Sequence, residues 1–145
     1  QILNLAEDFI KTASNRYSAL EGIVGLLKAN FPYYNWVGIY LLENDDTLTL
    51  GPYRGEPSPH TKINIDSGIC GAAVRENQTI IIPDVNKDPR YLACSLKTRS
   101  EIVVPIKKGE NIFGEIDIDS DKPDAFGAKD QQILEAIASL LADLF

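Results

Sequence analysis

The chain contains no methionine, two cysteines, one histidine and one tryptophan in 145 residues. Two cysteines are too few for a disulfide-stapled secreted scaffold. A domain of this length buries about 68–70% of its unfolded surface and needs no staple. Cys70, Cys94 and His60 also fall short of a cysteine–histidine zinc set. No apolar run approaches the ~18 residues of a membrane span. The stretch Gln1-Ile2-Leu3-Asn4 lacks the basic and apolar regions of a signal peptide. Basic residues are outnumbered, 14 Lys and Arg against 21 Asp and Glu. They are also scattered, which argues against a nucleic-acid partner. The expectation is one cytoplasmic domain over residues 1–145, with no membrane contact. The lack of methionine suits a protein exposed to oxidants without requiring that role.

Hydrophobic spacing organises what is there. Ile2, Leu5, Phe9 and Ile10 fall at helical spacing over about Ile2–Ala13, and Leu20, Ile23, Val24 and Leu27 do so over about Tyr17–Asn30. Pro32 stops the second helix. The period then changes to two. Trp36–Leu42 and Thr47–Tyr53 form a predicted hairpin around Glu43-Asn44-Asp45-Asp46. Lys62–Ile65 and Thr79–Ile82 are short strands. Ser67–Val74 between them starts a helix, with Asp66 or Ser67 placed to cap it. Asp84–Ser100 has no clean period, and long polar connections in compact domains are often functional. Ile102–Ile106 and Ile112–Asp119 form a second hairpin, and Ala128–Leu144 is an amphipathic helix. Helices at both ends of hairpins give an α+β domain with a mainly antiparallel sheet, the terminal helices packed together on one face.

Strand alternation places Trp36, Gly38, Tyr40 and Leu42 on one face, and Glu115, Asp117 and Asp119 on one face of their strand. Taken singly, the aromatics read as core and the acids as a solvated sheet face. If the two rows meet under a cover, an aromatic wall beside acids suits an apolar group carrying an amine or a protonatable oxygen. A desolvated carboxyl there would hold its proton and could donate it. Cys70 falls in the first turn of a predicted helix, where the dipole and free N–H groups favour a thiolate or a carboxylate ligand. Cys94 falls in the long connection near Arg90, Lys97 and Arg99, cations that would lower its pKa. Either cysteine could equally be a buried apolar thiol. A Cys–His pair with His60 requires a spatial adjacency that spacing does not establish.

Several stretches together resemble the free methionine-(R)-sulfoxide reductases, a branch of the GAF-domain proteins. They are Asn35–Leu42, Leu50–Gly55, Gly68-Ile69-Cys70-Gly71, Ala93-Cys94, Ser100–Pro105 and Asp117-Ile118-Asp119-Ser120. The resemblance implies a six-stranded antiparallel sheet with helices on both sides, and a pocket closed by the loop that carries Cys94. It implies that Cys94 is the nucleophile and Cys70 its resolving partner. Glu101, Asp117 and Asp119 would bind the substrate amine and polarise the sulfoxide. Trp36 and Tyr40 would wall the sulfur and its methyl group, and backbone N–H groups near Ile69 and Cys70 would anchor the carboxylate. The implied partners are free methionine-(R)-sulfoxide and a thioredoxin-like dithiol reductant, with a homodimer admitted; the implied thiol chemistry needs no metal or organic cofactor. Many relatives carry a third cysteine about ten residues before the Cys70 position. Here that region reads Ser58-Pro59-His60, which leaves Cys70 as the internal resolver and the recycling route open.

Two other readings stay open at this point. A non-catalytic GAF module would bind a small ligand such as an amine or a purine through the acids, with both cysteines incidental. A disulfide switch would need the cysteines but not the acid cluster.

Overall fold

The computed structural model of the chain describes residues 1–92 and 95–145. Its element order is α1 (Ile2–Thr12), α2 (Arg16–Asn30), β1 (Trp36–Glu43), β2 (Thr47–Arg54), β3 (Lys62–Asn64), α3 (Gly68–Glu76), β4 (Ile80–Ile82), β5 (Ser100–Lys108), β6 (Asn111–Ser120) and α4 (Ala128–Ala142). The strands form one sheet in the order β3-β2-β1-β6-β5-β4, and every pairing is antiparallel. The expected six-stranded antiparallel sheet with helices on both sides is therefore present. No helix among the described residues is long and apolar enough to cross a membrane.

Register decides what each face carries. Across β1, β6 and β5, Val37 aligns with Ile118 and Ile102, and Ile39 aligns with Ile116 and Val104. All six are β-branched and buried. This apolar face packs with Leu20, Ile23, Val24 and Leu27 of α2 and with Leu134, Ile137 and Leu141 of α4. Ala6 of α1 joins the same cluster, so the terminal helices do share one face. The α2 start is fixed by Asn15, whose side chain accepts from the Ser18 N–H at 2.9 Å. Asp130 ties the start of α4 to the sheet. Its Oδ1 accepts from the hydroxyls of Tyr33 and Tyr34, each at 2.6 Å, and its Oδ2 accepts from the Gly127 N–H at 2.9 Å.

The opposite face is covered by α3. Ile69, Ala72 and Ala73 pack there with Tyr40, Leu48, Ile63, Ile80, Ile82 and Val103. In the long connection, Val85–Lys87 forms a single 3-10 turn, and the Val85 N–H donates to the Arg99 carbonyl at 2.8 Å.

Candidate active site

The same register gives the α3-covered face its chemistry. Trp36, Asp119 and Glu101 align across β1, β6 and β5; Gly38, Asp117 and Val103 form the next row; Tyr40, Glu115 and Pro105 form the third. Cross-strand partners of this kind point to one side of the sheet. The aromatic row and the acid row therefore meet, and α3 turns what would be a solvated face into a buried one. Glu115, Asp117, Asp119 and Glu101 are 0%, 2%, 2% and 5% exposed.

Gly38 makes the aromatic wall fit. A Cβ at this position would lie 2.3 Å from the Trp36 ring, so the indole lies across the strand only because residue 38 has no side chain. The Trp36 ring stacks on Tyr53 at 5.8 Å and sits 6.5 Å from Tyr40. Its Nε1–H donates to the Glu56 carbonyl at 2.9 Å, and the Tyr40 hydroxyl donates to the His60 carbonyl at 2.8 Å. Both polar tips are thereby satisfied, leaving the ring faces to contact a ligand.

Cys70 reaches the acids from above. Its Sγ lies 3.4 Å from Asp117 Oδ2. The helix-terminus expectation of a favoured thiolate is overturned here. Burial, followed by the charges of Asp117, Glu115 and Glu101, pushes the Cys70 thiol well above its ordinary range. Desolvation and three nearby carboxyls outweigh the helix dipole. Burial likewise raises Glu115, Asp117 and Asp119 above the usual carboxylate range; for Asp119 the Asp117 charge adds to it. Asp117 Oδ1, Asp119 Oδ1 and both Glu115 oxygens find no hydrogen-bond partner among the described residues.

Ser67 occupies the N-cap of α3, as expected, but its side chain makes no capping hydrogen bond. The first-turn N–H groups, including those of Ile69 and Cys70, are thus not claimed by a capping oxygen. The chain enters the helix through Gly68 at φ +72°, where a Cβ would press on Leu92 at 2.8 Å.

Two cavities border the acid row. One of about 20 Å³ is lined by Tyr40, His60, Ile63, Gly68, Ile69, Cys70, Leu92, Glu101 and Asp117. A larger one of about 380 Å³ is lined by Trp36, Asp119, Lys97, Thr98 and Glu56 among others. That volume is at the lower end of small-molecule sites, and the smaller one holds a single water-sized group.

The structure brings together Cys70, Ile69, Glu101, Asp117, Asp119, Trp36 and Tyr40. Cys94, and with it the expected loop closure at Ala93-Cys94, lies outside the described residues. Of the cations expected to serve Cys94, Arg90 is engaged by Asp88 at 2.9 Å and Glu76 at 3.5 Å, and Lys97 by Glu56 at 3.7 Å. Glu115 stood in the alternating row from the outset but received no role. His60 borders the cavity below Tyr40, a placement that no local spacing reveals.

Residues 17–143 match the model of the GAF domain family. The chain is 38% identical over 140 residues, 97% of its length and 87% of the relative's, to a GAF domain-containing protein A of Dictyostelium discoideum. It is 38% identical over 124 residues, 86% of its length and 74% of the relative's, to a free methionine-R-sulfoxide reductase of Escherichia coli. A type II free methionine-R-sulfoxide reductase of Thermoplasma acidophilum superposes with a TM-score of 0.86 at 43% identity, covering 89% of this chain and 91% of that one.

Proposed function

The chain belongs to the GAF domain family, in the branch of the free methionine-R-sulfoxide reductases, and from that premise we propose that it reduces the R epimer of free methionine sulfoxide to methionine by thiol chemistry. One observation carries the reading: the row of buried carboxyls of Asp117 and Asp119 beside Cys70 and the Trp36–Tyr40 wall. A ligand sensor has no need of a thiol in contact with such a row.

The substrate sulfoxide and its methyl group lie against the Trp36 and Tyr40 faces. Glu101, Asp117 and Asp119 take the ammonium group and hand a proton to the sulfoxide oxygen. Burial raises the pKa of Asp117 and Asp119, which favours the protonated form that such a transfer needs, and general-acid help typically contributes ~10²–10⁴-fold. The α3 N–H groups at Ile69 and Cys70 hold the carboxylate. Cys94 thiolate attacks the electrophilic sulfur. The sulfur gains two electrons and leaves as methionine; the oxygen ends on Cys94 as a sulfenic acid, whose sulfur has lost two electrons. Cys70 then condenses with it, forming the Cys70–Cys94 disulfide and releasing one water. An external dithiol, thioredoxin-like in chemistry, reduces the disulfide by exchange. The region Ser58-Pro59-His60 holds no cysteine where many relatives carry a third one, so on this reading recycling proceeds through Cys70 alone.

The reading is tested by incubating the protein with each epimer of free methionine sulfoxide and a dithiol, then measuring methionine. Turnover of the R epimer, weak action on peptide-bound sulfoxide and loss of activity in Cys94→Ser are expected. No turnover of the R epimer sinks the reading, and full activity in Cys94→Ser sinks the assignment of the nucleophile.

A further inference from the structure

Three atoms with metal-ligand chemistry converge on the α3-covered face. The Cys70 thiol, one Glu101 oxygen and one Asp117 oxygen all lie within 4.8 Å of one another. Each of these side chains is buried. Around a tetrahedral zinc ion, with ~2.3 Å to sulfur and ~2.1 Å to a carboxylate oxygen, such ligands stand about 3.6 Å apart. The 3.4 Å between Cys70 Sγ and Asp117 Oδ2 is close to that spacing.

The cavity bordered by these three residues has a volume of about 20 Å³. That is room for one ion or one water, not for a larger group. Asp117 Oδ1 is an unpartnered acceptor among the described residues, on a side chain 2% exposed that lines this cavity. Both oxygens of Glu115, the next carboxyl along that face of β6, are also unpartnered among the described residues, outside the cavity lining. Neither Lys nor Arg is among the residues that line the cavity. A thiolate among the ligands selects zinc over calcium or magnesium, which prefer all-oxygen sites. A count of cysteine and histidine overlooks such a site because its other ligands are carboxylates.

We propose that Cys70, Glu101 and Asp117 form a binding site for a single zinc ion, with the remaining coordination position open to water in the cavity. The bound ion would hold Cys70 as a metal thiolate and occupy the carboxylates that otherwise face the substrate. Resting on the reductase reading above, zinc is then an inhibitor that competes with the substrate amine and withholds the resolving thiol. Zinc binding itself does not depend on that reading.

The test titrates the reduced, metal-free full chain with cobalt(II), a spectroscopic substitute, and then displaces it with zinc. One equivalent should give tetrahedral cobalt absorption with a thiolate-to-cobalt charge-transfer band. The band should persist in Cys94→Ser and vanish in Cys70→Ser, and Asp117→Asn should weaken zinc binding by at least ~10-fold. A second measurement needs no Cys70 variant: in Cys94→Ser, zinc should slow alkylation of Cys70 by at least tenfold. Absence of a thiolate band, a band that survives Cys70→Ser, or unchanged alkylation with zinc would each overturn the site. Zinc binding in a protein without sulfoxide turnover would keep the site and discard the reductase reading; turnover unaffected by zinc at saturation would discard the competition.

Discussion

The Cys70 sulfur lies 3.4 Å from Asp117 Oδ2, and both residues are buried beneath α3. A thiol facing a carboxylate at this distance is placed to donate a hydrogen bond, not to ionise. Burial pushes its pKa well up, and Asp117, Glu115 and Glu101 push it further. Such a thiol resists oxidants until a sulfenic acid is presented to it, which suits a resolving role better than an attacking one.

In Cys94→Ser, Cys70 is the remaining cysteine, so its reactivity can be read directly. Iodoacetamide should modify it at pH 7.5 at least tenfold more slowly than a peptide thiol. Asp117→Asn removes the contacting carboxyl and should speed the reaction severalfold, with the midpoint of the pH–rate curve moving down. An unprotected rate in Cys94→Ser would contradict the buried, neutral thiol.

The carboxyl row sets an unusual pH dependence of stability. Burial holds Glu115, Asp117 and Asp119 above the usual carboxylate range. Above the ordinary carboxyl pKa of about 4, the folded protein therefore keeps protons that the unfolded chain has lost. Stability is fully present below that value and falls as pH rises through the folded pKa values. Asp88, lowered first by its hydrogen bond to Arg90, acts with the opposite sign but in the acid range, outside this window. Thermal melts without substrate should give a lower Tm at pH 8 than at pH 5. Glu115→Gln should flatten that slope and add about 1–3 kcal/mol at pH 8, the scale of an unsatisfied buried polar group. A Tm that rises steadily from pH 5 to pH 8 would refute the argument.

How far the sequence carried the reading depends on range. Both hairpins and the alternation of Glu115, Asp117 and Asp119 are local, and the strands all appear within two residues of expectation, β5 beginning at Ser100 rather than Ile102. The cover is not local. Whether that face meets water or α3 depends on Gly68 admitting the chain past Leu92, and no periodicity encodes that contact. The same gap reversed the expectation for Cys70: helix position is visible in sequence, whereas the surrounding acids come from β5 and β6. Glu115 was visible as a third acid on the row, but only burial shows that it needs an explanation.

Gly38 provides a steric test of the aromatic wall. Gly38→Ala introduces a Cβ 2.3 Å from the Trp36 ring position, so the indole must rotate away from Tyr53 and the acid row. The strand itself tolerates alanine, and the fold should survive. We expect the KM for the sulfoxide to rise by about tenfold or more, comparable to the ~1–3 kcal/mol of a lost hydrophobic pocket contact. Tryptophan fluorescence should report the displaced ring. An unchanged KM with a displaced ring would remove Trp36 from the binding site.

Asp130 tests whether the site depends on an anchor at the far side of the sheet. One carboxyl oxygen accepts from both Tyr33 and Tyr34, and the other accepts from Gly127 at the start of α4. Tyr34 is fully buried. The network raises the Tyr33 pKa to about 12, mainly by burial and then through the hydrogen bond to Asp130. Two residues later the chain begins β1 with Trp36, and the Asn35 N–H donates to the Asp119 carbonyl at 3.0 Å. The anchor and the site thus share one strand entry. Asp130→Ala leaves two hydroxyls and a helix-start N–H without their acceptor, and should cost about 2–4 kcal/mol. Asp130→Asn keeps an acceptor and should cost less. In a double-mutant cycle with Tyr34→Phe, the two substitutions should fall short of additivity by about 1–2 kcal/mol, because each already removes the same bond. If the strand entry also positions Trp36 and Asp119, Asp130→Ala should raise KM more than it lowers kcat when assayed well below its Tm. Full additivity in the cycle would show that the hydroxyl and the carboxyl act independently, and an unchanged KM would confine the anchor to stability.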